Sequence, residues 1–326
     1  MKHEPIELTF PSATISLVRP TAPVKGTVVD TRICTRGKSP NFVRHVSIDV
    51  SDTPLERSFV AGQAFGIVPP GVDEAGKPHK VRLYSIASPA RGEDGNGRVF
   101  ATGVKRVIDE RTPQKPGEDP ADHRLFLGVC SNYLCDIPVG TIVNVTGPQG
   151  KRFILPSSPE KFNYLFVATG TGIVPFRSML MELFGPDAPP VEGQIHLVAG
   201  YPYSTDLIYD DYFVKLAKER GENFKYHVVV SRDSEAERTK IRYTHHLVDA
   251  RYELFQDVLE SPNTVIYMCG MLGMETGLYQ VLVKHNVYER YLRVNEGFLD
   301  PAAPVWRTDE AKRAAKPLDR CLVEVY

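Results

Sequence analysis

The feature that most constrains the fold is a change of texture near Pro156. Beyond it, short apolar runs alternate with stretches of helical length: NYLFVAT then GTGIVPFRSMLMELF, HLVAGYP then DLIYDDYFVKLAKER, YHVVVSRD then THHLVDARYELFQDVL, TVIYMCGM then METGLYQVLVKHNV. Buried strands alternating with helices predict parallel βαβ units, because parallel neighbours need a crossover between them. Before Pro156, from Gly26 to Leu155, the strands VVDTRICT, HVSIDV and FGIVP are separated by turn-rich segments such as PPGVDEAGKP, ARGEDGNG and PQKPGEDPADH. Many short strands punctuated by Gly and Pro predict a barrel or sandwich. The expected division is residues 1–27 as an extension draped over the body, 28–156 as a β domain and 157–326 as an α/β domain. The polar segment SSPEK marks the junction, and 326 residues suit two domains.

Charge and cysteine usage exclude several function classes. Lys plus Arg is 39 against Asp plus Glu at 40, so no global basic field favours nucleic acid. Five scattered cysteines, an odd number, do not form a disulfide framework and fit a reducing, cytoplasmic setting. An iron–sulfur cluster takes four cysteine ligands in characteristic groupings, which are missing here. His245 and His246 have no evident carboxylate or thiol partner and read as polar helix residues, so no metal is expected. No apolar run is long enough to span a bilayer, and MKHEPIELTF carries acidic residues and proline where a secretory leader is apolar.

Several segments carry chemistry. Arg82, Tyr84 and Ser85 stand in one strand: Arg offers a planar fork to phosphate oxygens and Tyr a stacking face. A strand with one exposed Arg is the plainer reading. In GVCSNYLCD, Ser131 is placed to cap a short helix whose free N–H groups face an anion; the plainer reading is a capped helix with two buried thiols. Thr171 and Gly172 lie in a glycine turn between strand and helix, where the backbone can approach a diphosphate. Ser231 and Arg232 follow a strand end, with Lys240, Arg242 and Tyr243 nearby, and suit a 2′-phosphate and an adenine, or form a solvated loop. Cys269 sits at another strand end, where a buried thiol is by default a small hydrophobe.

Together these segments resemble plant-type ferredoxin–NADP⁺ reductases from Gly62 to Tyr326. GQAFGIVPPGVDEAGKPHKVRLYSIAS, GVCSNYLCD, GTGIVPFRSML, ENFKYHVVVSR, YMCGMLGME and VEVY occur in the family's order and at similar spacings. The resemblance implies an antiparallel Greek-key β-barrel that binds FAD, followed by a Rossmann-like parallel α/β domain that binds NADP(H). It implies hydride transfer between nicotinamide and flavin N5, with a ferredoxin or flavodoxin as one-electron partner. Arg82 would bind the FAD diphosphate, Tyr84 stack on the flavin, and Ser85 hydrogen-bond near N5. Val129, Cys130 and Ser131 would contact flavin and diphosphate. Thr171 and Gly172 would meet the NADP diphosphate, while Ser231, Arg232 and Tyr243 would hold the 2′-phosphate and adenine. Cys269 would face the nicotinamide, Glu324 join a proton network, and Tyr326 stack on the flavin where nicotinamide must go.

The chain departs from the family at identifiable positions. The helper Lys falls on Ile241, with Lys240 and Arg242 as substitutes beside it; the next amide contact falls on His245. Asp109 takes the place of a Tyr that stacks on the FAD adenine. The region from Tyr288 to Asp319 is longer than the family's. Local cations such as Lys105 and Arg106 would steer an acidic partner. Two other readings remain open: the reductase component of a multicomponent oxygenase, and a non-catalytic nucleotide-binding protein. Retention of Ser85, Cys269, Glu324 and Tyr326 speaks against the latter.

Overall fold

The computed structural model describes residues 4–111, 119, 121, 124–300, 306–307, 310 and 313–325. Its first half is an antiparallel sheet of β1 (Val24–Ile33), β2 (Val43–Asp49), β3 (Ala64–Val68), β4 (Arg82–Ser85) and β5 (Val99–Lys105). There follow the pair β6 (Ile108–Arg111) and β7 (Arg124–Leu127), helix α1 (Val129–Asp136) and β8 (Ile142–Gln149). The strand order is β4-β3-β8-β1-β2-β5, so the last strand returns between β3 and β1 in Greek-key fashion. The two edges meet: Ala87 N–H donates to Ala101 O at 2.7 Å, and the Thr102 hydroxyl to Ser85 O at 2.8 Å. These bonds bring the two edges of the sheet together as a barrel. Val28, Val46, Ile48, Phe65, Phe100 and Val145 fill it, and α1 adds Cys130, Leu134 and Cys135 to the same core.

The second half runs β9 (Asn163–Thr169), α2 (Val174–Leu183), β10 (Ile195–Tyr201), α3 (Asp210–Arg220), β11 (Phe224–Val230), α4 (Ser234–Thr239), α5 (Thr244–Ala250), α6 (Gln256–Glu260), β12 (Thr264–Gly270) and α7 (Leu272–Lys284). It ends with β13 (Leu292–Val294), β14 (Ala315–Pro317) and β15 (Cys321–Val325). Five parallel strands pair in the order β11-β10-β9-β12-β15. Neighbouring residues of β9 enter different cores: Phe166 joins Phe176 and Phe213, while Leu165 joins Phe255 and Leu278. A strand covered on both faces has no polar side, which is why NYLFVAT is nearly all apolar.

Three boundaries differ from the sequence expectation. β1 begins at Val24, inside the expected extension, because Val24 to Thr27 pair with β8. The expected helix over 206–220 starts only at Asp210, since Asp206 is buried and accepts hydrogen bonds from the Ser39 hydroxyl and Asn41 Nδ2. The expected helix over 244–259 breaks at Arg251 (φ −128°, ψ 41°), which turns Phe255 inward against His196 and His227, with ring centroids 5.2 and 5.1 Å away.

The extension crosses both halves. Ile6 N–H donates to Asn263 Oδ1 (2.7 Å), and Ile6, Leu8 and Phe10 pack on the α/β core. Farther along, Gln63 donates to Thr14 O (2.9 Å) and Val18 bridges Gly147 of the barrel. In the long region near the C-terminus, β13 pairs with β14, and buried Trp306 joins the α/β core. The five cysteines are free thiols. No helix among the described residues is long and apolar enough to cross a membrane.

Candidate functional site

In the parallel sheet β10 and β11 extend from β9 to one side and β12 to the other, and such a switch point opens a crevice at the strands' carboxyl ends. A cleft of about 430 Å³ lies there, lined by both halves of the molecule. Asn41, Val43 and Lys105 come from the barrel; Thr171, Ser231, Arg242, Tyr243 and Met271 come from the α/β half. Tyr243 is 53% exposed and Met271 65%, apolar faces suited to a flat ligand group. Met271 N–H donates to the Thr169 hydroxyl at 2.8 Å, tying the end of β12 to the end of β9. Gly172 is buried against β12, where a methyl group would collide with the Cys269 carbonyl. Glycine is therefore required for the turn into α2 to pass so close.

Four of the expected nucleotide residues, Thr171, Ser231, Arg242 and Tyr243, thus share one cleft. Gly172 does not line it but is buried next to Thr171, against Cys269. Arg232 and Lys240 do not line the cleft. The Arg232 guanidinium lies over the Tyr203 ring (5.3 Å) and donates to its hydroxyl at 2.7 Å, which raises its pKa. Lys240 ends α4 in the left-handed conformation (φ 62°). Asn41 and Met271 were missed, and Lys105, expected only as a steering cation, also lines the cleft. Asn41 and Lys105 belong to the barrel, and nothing local marks them as facing a cleft in the other half.

Cys269 and Glu324 form a second group, in register on β12 and β15. Cys269 is buried; burial, then the Glu324 carboxylate, pushes its thiol well up, so it is a neutral S–H rather than a nucleophile. Burial raises the Glu324 carboxyl to about 7. Tyr326, expected beside them, lies outside the described residues.

The third group is on the barrel. Arg82 is exposed at the start of β4, followed by half-buried Tyr84 and Ser85. Burial, then the Cys130 thiol, raises the Tyr84 phenol, which places α1 against β4. Ser131 does not cap α1. The cap position is Gly128, and the Ser131 hydroxyl donates to Gly128 O (3.1 Å) while accepting from Val107 N–H (3.2 Å). The first-turn N–H groups of Val129, Cys130 and Ser131 have no intrahelical acceptor. Exposed Leu83 and Val129 stand on these same elements, and exposed Phe126 on β7. A cation, a helix N-terminus and apolar side chains form a donor set that fits a diphosphate joined to flat rings. Phe126 was missed. It faces Asp109 across the β6–β7 pair, so both side chains share a face. Arg106 is engaged by Asn132 and Asp136 rather than free to steer a partner.

Buried polar contacts hold the two halves together around the cleft. Arg177 of α2 donates to Ala87 O (2.8 Å) and to both Glu93 oxygens (2.5 and 3.1 Å). His45 of the barrel bonds the Tyr209 hydroxyl at 2.9 Å, and burial lowers it to about 2, so it is neutral.

Comparison with known proteins places these features among relatives. Residues 166–280 match a family described as an oxidoreductase NAD-binding domain. The chain is 37% identical over 268 residues to a chloroplastic leaf ferredoxin–NADP reductase of Oryza sativa subsp. indica, covering 81% of this chain and 70% of that one. It is 34% identical to a Spirulina ferredoxin–NADP reductase, covering 81% and 87%. With the Picosynechococcus enzyme the identity is 36% over 82% of this chain, which spans only 64% of that longer relative. A ferredoxin–NADP⁺ reductase structure from Plasmodium falciparum with 2′-phospho-AMP aligns over 96% of this chain and 100% of that one (TM-score 0.69, 22% identity), a likeness of fold.

Proposed function

Because the chain belongs to the ferredoxin–NADP⁺ reductase family, we propose that it is an FAD-dependent oxidoreductase passing electrons between NADP(H) and a one-electron carrier, a ferredoxin or flavodoxin. FAD would supply the exchange of a hydride with nicotinamide and of single electrons with the carrier. The expected 28–156 FAD domain would begin at Val24 with β1, 157–326 would form the NADP(H) domain, and the residues before Val24 would be the extension.

The observation that carries the reading is the shared cleft: Thr171, Ser231, Arg242 and Tyr243 line it, and Gly172, next to Thr171, packs on the Cys269 carbonyl. Thr171 and the turn into α2 would bind the diphosphate of NADP(H). Ser231 and Arg242 would hold the 2′-phosphate with charge-assisted bonds. Arg232, fully exposed, would join them by rotating off Tyr203. Tyr243 would stack on the adenine. On the barrel, Arg82 and the α1 N-terminus would hold the FAD diphosphate, Tyr84 would pack on the flavin, and Ser85 would donate a hydrogen bond beside it. Phe126 would offer the adenine the flat face that Asp109 lacks. Cys269 would shape the nicotinamide site by packing. Glu324, raised to about 7, would hold or release a proton at neutral pH. Tyr326 would cover the flavin.

Purified protein should be yellow with one FAD per chain and should oxidise NADPH in preference to NADH with an artificial acceptor. A colourless folded protein, or equal use of both nucleotides, would reject the reading.

A further inference from the structure

Two consecutive histidines open α5, and they support the turn that carries Arg242 and Tyr243. The His245 ring lies against the Tyr243 ring with centroids 5.6 Å apart and planes 18° apart. The other side of the imidazole meets α7, where a methyl group on Gly277 would overlap the ring. Only glycine at that position leaves room for it. His245 Nδ1 is buried without a hydrogen-bond partner, so packing holds that edge of the ring. His246 Nδ1 accepts the Arg242 N–H at 3.4 Å, which secures the same turn. The far side of Tyr243 is open to the cleft.

A half-exposed ring without backing samples several rotamers, and a ligand that stacks on it must first pay to order it. A flat ring wedged behind it removes that cost in advance. We infer that His245 is a positioning residue for nucleotide binding: clamped on Gly277, it fixes the plane of Tyr243 on which the purine stacks. The inference rests on the proposed reading that this cleft takes NADP(H). It also gives a physical role to the replacement of the expected amide at position 245. His245 itself borders the cleft, and the inference concerns its place behind the Tyr243 ring.

The test measures 2′-phospho-AMP binding by calorimetry on the flavin-loaded full chain. The variants are His245→Ala, Gly277→Ala and the double variant, each with its thermal midpoint. Loss of the backing ring should weaken binding roughly 2–13-fold, the range of one aromatic contact. Gly277 lines no part of the cleft, yet Gly277→Ala should weaken binding in the same range, because the methyl group displaces the imidazole. The double variant should bind no more weakly than His245→Ala, since the methyl group then has no ring to displace. Wild-type affinity in His245→Ala, or a double variant that binds more weakly than His245→Ala by the full Gly277→Ala factor, overturns the inference while leaving the cleft assignment intact. Failure of the wild type to bind 2′-phospho-AMP overturns both. Should Gly277→Ala not fold, His245→Leu decides: it fills the space without a flat face, so weakened binding supports the inference and wild-type binding overturns it.

Discussion

Glu324 illustrates how much a single residue's role depends on burial. Its sequence context, the fourth residue of β15 in VEVY, marks it only through resemblance; its titration near 7 comes from desolvation. The sign of the consequence is fixed. A carboxyl whose folded pKa lies above its unfolded value binds a proton more tightly when folded, so stability falls as pH rises between about 4.5 and 7. Glu324→Gln should remove that loss and gain on the order of 1–3 kcal/mol relative to wild type at pH 8, read by denaturant melts. The same variant should flatten the pH profile of turnover near 7 with little change in nucleotide affinity. Arg242 makes the complementary case. The sequence put Arg232 at the 2′-phosphate with Lys240 and Arg242 as substitutes for a missing Lys, and the fold brings Arg242 alone of the three to the cleft wall. Losing one charge-assisted bond costs about 1.5–3 kcal/mol. Arg242→Ala should therefore raise the dissociation constant of 2′-phospho-AMP by roughly 10–100-fold, and a change confined to kcat would refute its placement.

At the scale of elements, legibility followed the source of the signal. β9 and β12 were readable residue by residue because a strand buried on both faces has an unbroken apolar run. The break between α5 and α6 was not, because no Gly or Pro marks it; burial of Phe255 in the tertiary core imposes it. That break creates an acid-sensitive layer. His196 and His227 lie 3.2 Å apart on neighbouring strands over Phe255, and burial lowers both to about 4. Their folded pKa values lie below the unfolded value of 6.5, so the unfolded chain binds more protons between 4 and 6.5, and stability is lost as pH falls through that window. His196→Gln with His227→Gln should shallow the acid limb of the stability profile by up to about 1.4 kcal/mol per pH unit for each histidine. An unchanged limb would show that other groups govern acid unfolding.

The whole molecule depends on contacts that no local pattern announces. The two sheet types were visible as textures, but their joining rests on Arg177 with Glu93 and Ala87, on His45 with Tyr209, and on an extension that touches both halves. Arg177→Ala leaves Glu93 without its partner in a partly buried site, and breaking such a pair costs about 3–5 kcal/mol. The paired replacement Arg177→Met with Glu93→Gln should cost markedly less, a difference that chemical denaturation resolves. The central claim is that this assembly brings a nicotinamide nucleotide to a barrel-bound flavin that serves a one-electron carrier. The most direct measurement is anaerobic oxidation of NADPH by the purified protein in the presence of an excess of a ferredoxin, with both species followed spectroscopically. The account predicts that ferredoxin is reduced as NADPH is consumed, far faster than with NADH, and that the reduction stops when the flavin is removed. NADPH oxidation without reduction of ferredoxin or flavodoxin, or reduction that survives loss of the flavin, would contradict it.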